Sequence, residues 1–178
     1  MRTDEEAMLA VAQGDLAAFE QIVMRYQHKA WSLAYRFLNN RAEAEDVAQD
    51  AFLKILAAAP SYRPSATFQT FLYRVLSRLC MDRARKMKPI YNEIPPDVPD
   101  AGPNAEEELL SVERIEAVRH ALATLPPNYR MAIVLRYYDN LDYRGIAEVM
   151  ETTEKAVERL LARGRAALAE ELKNFLSE

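Results

Sequence analysis

The sequence predicts an all-α chain made of two small helical domains joined by a Pro-rich acidic linker. Three observations carry this. Apolar residues recur at helical spacing, no run alternates apolar and polar residues over the length of a strand, and glycine is scarce, 4 residues against 9 prolines. Half of the 178 residues are hydrophobic, enough to build a core and to exclude disorder throughout. Five of the nine prolines fall between positions 89 and 103. Proline removes a backbone donor and disfavours helix at the residue before it, so residues 89–111 read as a linker between domains at 1–88 and 112–178.

The net charge of -4 is unevenly spread. Residues 1–90 hold 13 Lys/Arg against 10 Asp/Glu, residues 91–112 hold none against 6, and residues 113–178 hold 10 against 11. The acidity therefore sits in the linker, and neither domain has the large cation surplus of a protein that finds nucleic acid unaided. A single cysteine, Cys80, excludes an intrachain disulfide, and with His28 and His120 as the only other soft ligands no zinc spacing exists. No metal or cofactor is expected. The start, MRTDEEAMLA, is acidic where a signal peptide needs a basic residue and an apolar run, and no segment is apolar long enough to cross a bilayer, so a cytoplasmic protein without membrane insertion is expected.

In the first domain, Thr3 and Glu6 form a capping box for a short helix that Gly14 stops. A long helix follows, with Leu16, Phe19, Ile22, Val23, Tyr26, Ala30, Leu33, Ala34 and Phe37 at helical spacing and Asn39-Asn40 as its end. His28 and Trp31 receive no functional role. The third helix, RAEAEDVAQDAFLKILAAA, turns Ala44, Val47, Ala48, Ala51, Phe52 and Ile55 to one side. Asp46, Gln49, Asp50 and Leu53, at i, i+3, i+4 and i+7, share the opposite one. That second face suits docking against another helix; spacing alone fits equally an ordinary polar surface with one stray leucine.

The fourth helix lies within YRPSATFQTFLYRVLSRLCMDRARK. Phe68, Leu72, Val75, Leu76 and Leu79 form its apolar arc, with Phe71 at the border. Arg74, Arg78 and Arg85 line one flank, and Tyr73 is read as pointing away from the core. A basic stripe beside aromatic side chains, preceded by a loop, is what a reader of single-stranded DNA needs: guanidiniums for phosphates, rings and a pocket for unstacked bases. A solvated charged flank is the alternative. Cys80 lies beside the core arc and reads as a structural thiol.

In the second domain, SVERIEAVRHALATL ends at Pro126-Pro127, and PNYRMAIVLRYYDN starts a new helix with proline near its first turn. LDYRGIAEVMETTEKAVERLLARGRAALAEEL then gives a short helix, a tight connection and a longer helix, a helix-turn-helix with Ile146, Ala147, Met150, Val157, Leu160 and Leu161 inside and Thr153 as cap. The last helix leaves Lys155, Glu158, Arg159, Ala162, Arg163 and Ala166 to solvent. That is a major-groove face in which Arg159 and Arg163 can reach bases or phosphates, although helical hairpins with scattered arginines also occur in ordinary bundles.

In order along the chain, GDLAAFEQIVMRYQHK, AEDVAQDAFLKIL, YRPSATFQTFLYRVLSRLCMDRARK, LPPNYRMAIVLRYYDNLDYRGIAEVM and AVERLLARGRAAL resemble an extracytoplasmic function (ECF) sigma factor of bacterial RNA polymerase over nearly the whole length. The resemblance implies that Asp46, Gln49, Asp50 and Phe52, together with the neighbouring Leu53, dock on the coiled coil of the largest polymerase subunit. It implies that the loop of residues 61–67, with Ser61, Tyr62, Arg63, Pro64 and Ser65, captures a base flipped from the non-template strand of the minus-ten element. The helix after it, with Tyr73, Arg74, Arg78 and Arg85, would track that strand. The last helix, through Thr153, Lys155, Glu158, Arg159, Ala162 and Arg163, would read the duplex minus-thirty-five element, and the acidic linker would thread through polymerase towards the RNA exit channel. Core polymerase, promoter DNA and an anti-sigma factor are the implied partners.

Departures from the family pattern fall at Pro64-Ser65, where relatives often have Gly-Asp, and at Glu151, where many have glycine. Further departures are Lys155-Ala156, for a common Gly-Thr, and Glu158 and Leu160, where basic residues are frequent. Weak DNA binding by the isolated protein is expected. Two other functions compete: a transcription factor using only the helix-turn-helix, with residues 1–88 as sensor or dimerisation domain, and an enzyme. The enzyme reading lacks a nucleophile motif, a phosphate-cradling glycine loop, or histidines close in sequence.

Overall fold

The computed structural model describes residues 2–87 and 105–176, with side chains at 2–87 and 112–174. The Pro-rich tether assigned to 89–111 lies outside the described residues up to position 104. From Ala105 onward the chain is already helical, a correction to the linker's C-terminal boundary. Past the last proline of the tract, AEEELL contains only good helix formers.

The first unit is α1 (Asp4–Ala12), α2 (Leu16–Leu38), α3 (Arg41–Ala58), a 3₁₀ turn (Ala59–Ser61) and α4 (Phe68–Lys86). Each start has a side-chain cap. Thr3 and Glu6 close the expected capping box, and Asp15, Asn40 and Thr67 accept from Ala18, Glu43 and Thr70 backbone N–H groups, satisfying donors that a helix start leaves free. Asn39, in the left-handed region at φ 51°, ends α2, and Asn40 begins α3 immediately afterwards. Ile22, Leu33, Phe37, Ala44, Ile55, Phe68, Leu72 and Leu76 are fully buried between α2, α3 and α4. Each large apolar side chain so buried contributes about 1.5–3 kcal/mol.

The second unit is α5 (Ala105–Thr124), α6 (Pro127–Tyr137), α7 (Tyr143–Met150) and α8 (Glu154–Leu176). Met131, Leu135, Ile146, Val157 and Leu161 form its interior. The two units pack together, α2 against α5 and α6, and α4 against α6 and α7. Arg130 pins one side of this junction: its guanidinium donates to the carbonyls of Phe37 at 2.9 Å, Ala123 at 2.6 Å and Leu125 at 3.0 Å, and lies 5.0 Å above the Phe37 ring. Arg36 stacks over Tyr138 at 4.6 Å beside it.

Cys80 is fully buried, and burial pushes its thiol well above the ordinary range despite nearby Arg83. The native protein is therefore expected to react with a thiol reagent such as Ellman's at least about a hundredfold more slowly than the urea-unfolded chain. Equal rates would show an accessible thiol.

Candidate polymerase and nucleic-acid interfaces

Helix α3 presents the face read from its spacing. Asp46, Gln49, Asp50 and Leu53 are exposed, Leu53 to 63%, while Ala44, Val47, Ala51 and Ile55 point inwards. Phe52, grouped with the exposed set through the family motif, belongs to the inward set at 8% exposure, so its ring supports the face from behind. Arg83 of α4 bonds Glu43 at 2.6 Å and approaches Asp50 to 3.8 Å, tying the acidic face to α4.

The loop before α4 is built on the 3₁₀ turn. Ser61 donates to the Ala58 carbonyl at 3.0 Å, Tyr62 N–H to Ala59, and the Arg63 guanidinium to the Tyr62 carbonyl at 2.9 Å. Ser61, Arg63, Pro64 and Ser65 are exposed. Tyr62 is not: its ring packs 5.4 Å from that of Phe71, and burial raises its phenol above the ordinary range. Tyr62, expected from the sequence to meet DNA, instead anchors the loop. Glu5 of α1 holds the far end, accepting the Phe68 backbone N–H at 3.1 Å. Nothing in the motif pointed to Glu5, which the N-terminal helix brings across from a distance of 63 residues.

Along α4 the basic stripe divides. Arg85 is exposed and, among the described residues, pairs with Asp82 on its own helix, at 3.1 Å. Arg74 and Arg78 reach the second unit. Arg74 Nε donates to the Glu148 carbonyl at 3.2 Å, and Arg78 grips the Glu151 carboxylate with Nε at 3.0 Å and a terminal nitrogen at 2.5 Å. Tyr73, read as pointing away from the core, is 1% exposed because the second unit covers it; its hydroxyl donates to Asp139 at 2.9 Å. Burial in turn pushes the Asp139 carboxyl above the usual range.

In the helix-turn-helix, Asp142 caps α7 through the Gly145 N–H at 2.7 Å and Thr153 caps α8 through the Ala156 N–H at 3.1 Å. Glu151 makes the turn itself in the left-handed region, at φ 54°, which costs a side-chain-bearing residue about 1 kcal/mol over glycine. Thr153, Lys155, Glu158, Arg159, Ala162 and Arg163 are all exposed along one side of α8, opposite buried Val157, Leu161 and Gly164. Among the described residues no group of three His, Cys, Asp or Glu side chains could hold a metal ion, and no helix is long and apolar enough to cross a membrane.

Residues 22–89 match the family model described as Sigma-70 region 2, and residues 115–168 match Sigma-70, region 4. The chain is 34% identical over 180 residues to the ECF RNA polymerase sigma factor SigW of Bacillus subtilis (strain 168), covering 93% of this chain and 94% of that one. This chain belongs to the ECF sigma factors. Two solved structures share the sigma factor's fold. One is CnrH in complex with the cytosolic domain of CnrY, with TM-score 0.72, 24% identity, and coverage of 96% of this chain and 97% of that one. The other is the sigma factor RpoE in complex with the anti-sigma factor NepR from Bartonella quintana, with TM-score 0.61, 19% identity, and coverage of 87% and 96%. The region 2 match spans the α3 face, the loop and the arginine stripe of the sigma factor, and the region 4 match spans its helix-turn-helix.

Proposed function

We propose that this sigma factor binds core RNA polymerase, directs it to specific promoters and helps open the minus-ten element, under the control of an anti-sigma factor. The observation that carries the reading is the match to both sigma regions on one chain, each falling on a unit that presents an exposed face. Residues 1–88 form the polymerase and minus-ten unit. Asp46, Gln49, Asp50 and Leu53 dock on polymerase, with Phe52 setting the helix face from within. Ser61, Arg63, Pro64 and Ser65 form the rim of the base-capturing loop, and Arg74, Arg78 and Arg85 track the strand. Residues 112–178 form the minus-thirty-five unit, read through Thr153, Lys155, Glu158, Arg159, Ala162 and Arg163.

The protein acts in the cytoplasm by binding and strand opening, with no covalent chemistry of its own. Its small local charge surplus makes polymerase the source of most of the phosphate clamp. The anti-sigma factor belongs to the same reading; RpoE, which shares the fold, is seen with one.

The test mixes purified protein with core polymerase and a genomic promoter library. Promoter-specific transcripts are expected, and no complex or no specific initiation would overturn the reading. Asp50→Lys is expected to weaken core binding about tenfold or more, because it sets a cation where the docking face is acidic, while circular dichroism stays unchanged and melting falls only slightly, since the contact it reverses with Arg83 is half-exposed. Undiminished binding would remove α3 from the polymerase interface.

A further inference from the structure

Glu151 occupies a place that is unfavourable on local grounds. It adopts a left-handed backbone that glycine or asparagine fits better, and it puts a negative charge at the C-terminus of α7, where the helix macrodipole is already negative. What offsets both is across the domain junction. The Arg78 fork holds the carboxylate through two nitrogens, and Arg74 Nε stands 4.0 Å away while bonding the Glu148 carbonyl of the same turn. The Arg78 guanidinium holds the Glu151 carboxyl below the ordinary carboxylate range. A fork on two oxygens of an anion is the geometry an arginine uses for phosphate. Beside it, Tyr73 is capped by Asp139.

We propose that Glu151 is a built-in competitor of DNA: its carboxylate stands in for a backbone phosphate on Arg74 and Arg78, so that strand binding by this face requires the helix-turn-helix unit to let go. This rests on the assignment of Arg74 and Arg78 to the minus-ten strand and adds what occupies them in the free protein. The competitor is intramolecular, so it acts at a high effective concentration set by the packing of α4 on α7. Its strength is limited by exposure, since Arg78 and Glu151 side chains are 61% and 48% accessible. Such a contact discourages stray binding to single strands yet yields to a partner that holds the two units apart.

The experiment titrates the full-length protein with a fluorescein-labelled (dT)₂₀ oligonucleotide by anisotropy at several salt concentrations. The variants are Glu151→Gln, which removes the charge and keeps the side-chain size, and Glu151→Gly, which also suits the backbone. Glu154→Gln is a control that removes one nearby exposed charge outside the contact. Both Glu151 variants are expected to bind about tenfold tighter than the parent. Their salt dependence should be steeper by about 0.7 in log K against log salt, since the single carboxylate removed compensates about one arginine charge on a single strand. Glu154→Gln should change affinity less than about twofold. Adding Arg74→Ala and Arg78→Ala to Glu151→Gly should abolish the gain.

If the Glu151 variants bind no tighter than the parent, or if the gain survives loss of both arginines, the competitor idea is wrong. Strand opening by polymerase carrying Arg74→Ala and Arg78→Ala, followed by permanganate footprinting, separates the two levels. Slowed opening together with inert Glu151 variants removes the competitor and keeps the strand assignment. Unchanged opening removes the assignment, and the proposal with it.

Discussion

Phe68→Ala is expected to lower the unfolding free energy by about 3–5 kcal/mol, the cost of emptying a fully enclosed aromatic site. Phe68 is 0% exposed, its ring meets Tyr26 edge-on at 5.0 Å and Phe71 at 6.3 Å, and its N–H is held by Glu5. Removing it loosens α1, α2 and α4 together. A drop in urea midpoint with unchanged denaturant slope would show this, and a loss below about 1 kcal/mol would mean that the surrounding rings collapse into the space. The functional consequence is selective. Phe68 and Phe71 back the loop that carries Arg63, Pro64 and Ser65, whereas the acidic face of α3 rests on Ala44, Val47, Ala51 and Ile55. Minus-ten recognition should therefore fall further than polymerase binding in whatever fraction remains folded.

Gly164→Leu is expected to cost about 3 kcal/mol, for the opposite reason. Gly164 lies where α8 crosses α6, and a Cβ added there would stand 2.9 Å from Ile133 Cδ1, 3.3 Å from Ile133 Cγ1 and 3.4 Å from Tyr129 Cβ. Alanine at this position gains about 1 kcal/mol of helix propensity and loses a similar amount by displacing the end of Ile133, so a nearly unchanged melting temperature is expected. Leucine has no space and must push the helices apart. Because α8 carries the proposed minus-thirty-five face, Gly164→Leu should weaken duplex binding by the assembled polymerase as well as stability. Equal stability of the leucine variant and the parent would show that α6 and α8 can slide past one another.

The helices were legible because their start and stop signals are local. Thr3 with Glu6, Asn39-Asn40, Pro127 and Thr153 all act within a turn of where they stand, and the structure has a helix boundary at each. The face of α3 was legible for the same reason, since one angular period sorts Asp46, Gln49, Asp50 and Leu53 from Ala44 and Ile55. The errors fall where a second element decides. Tyr73 is on the outward side of α4 considered by itself, and it is enclosed at a junction where Asp139, which follows α6, accepts its hydroxyl. Tyr62 is buried by Phe71, which lies beyond the loop. Phe52 is inward, as its own angle on α3 places it. Arg130, which joins α6 to the end of α2, is not legible in the sequence because one arginine on an apolar helix has no periodic signature. Glu151 differs from the family's glycine, but its partner Arg78 stands 73 residues earlier, beyond any local pattern.

The two-residue junction at Asn39-Asn40 bears on how the molecule is made. With no slack between α2 and α3, these helices meet as an antiparallel hairpin as soon as both exist, and α1 and α4 close onto it from segments adjacent in the chain. Small helical units form in microseconds to milliseconds, whereas a ribosome adding about 5–20 residues per second needs several seconds to deliver the remaining chain. The first unit is thus complete on the ribosome before the second emerges, and α7 arrives at a surface already shaped to receive it. Domain docking becomes the last step of biogenesis, and a nascent chain passes through an interval in which Arg74 and Arg78 lack the Glu151 carboxylate that later faces them.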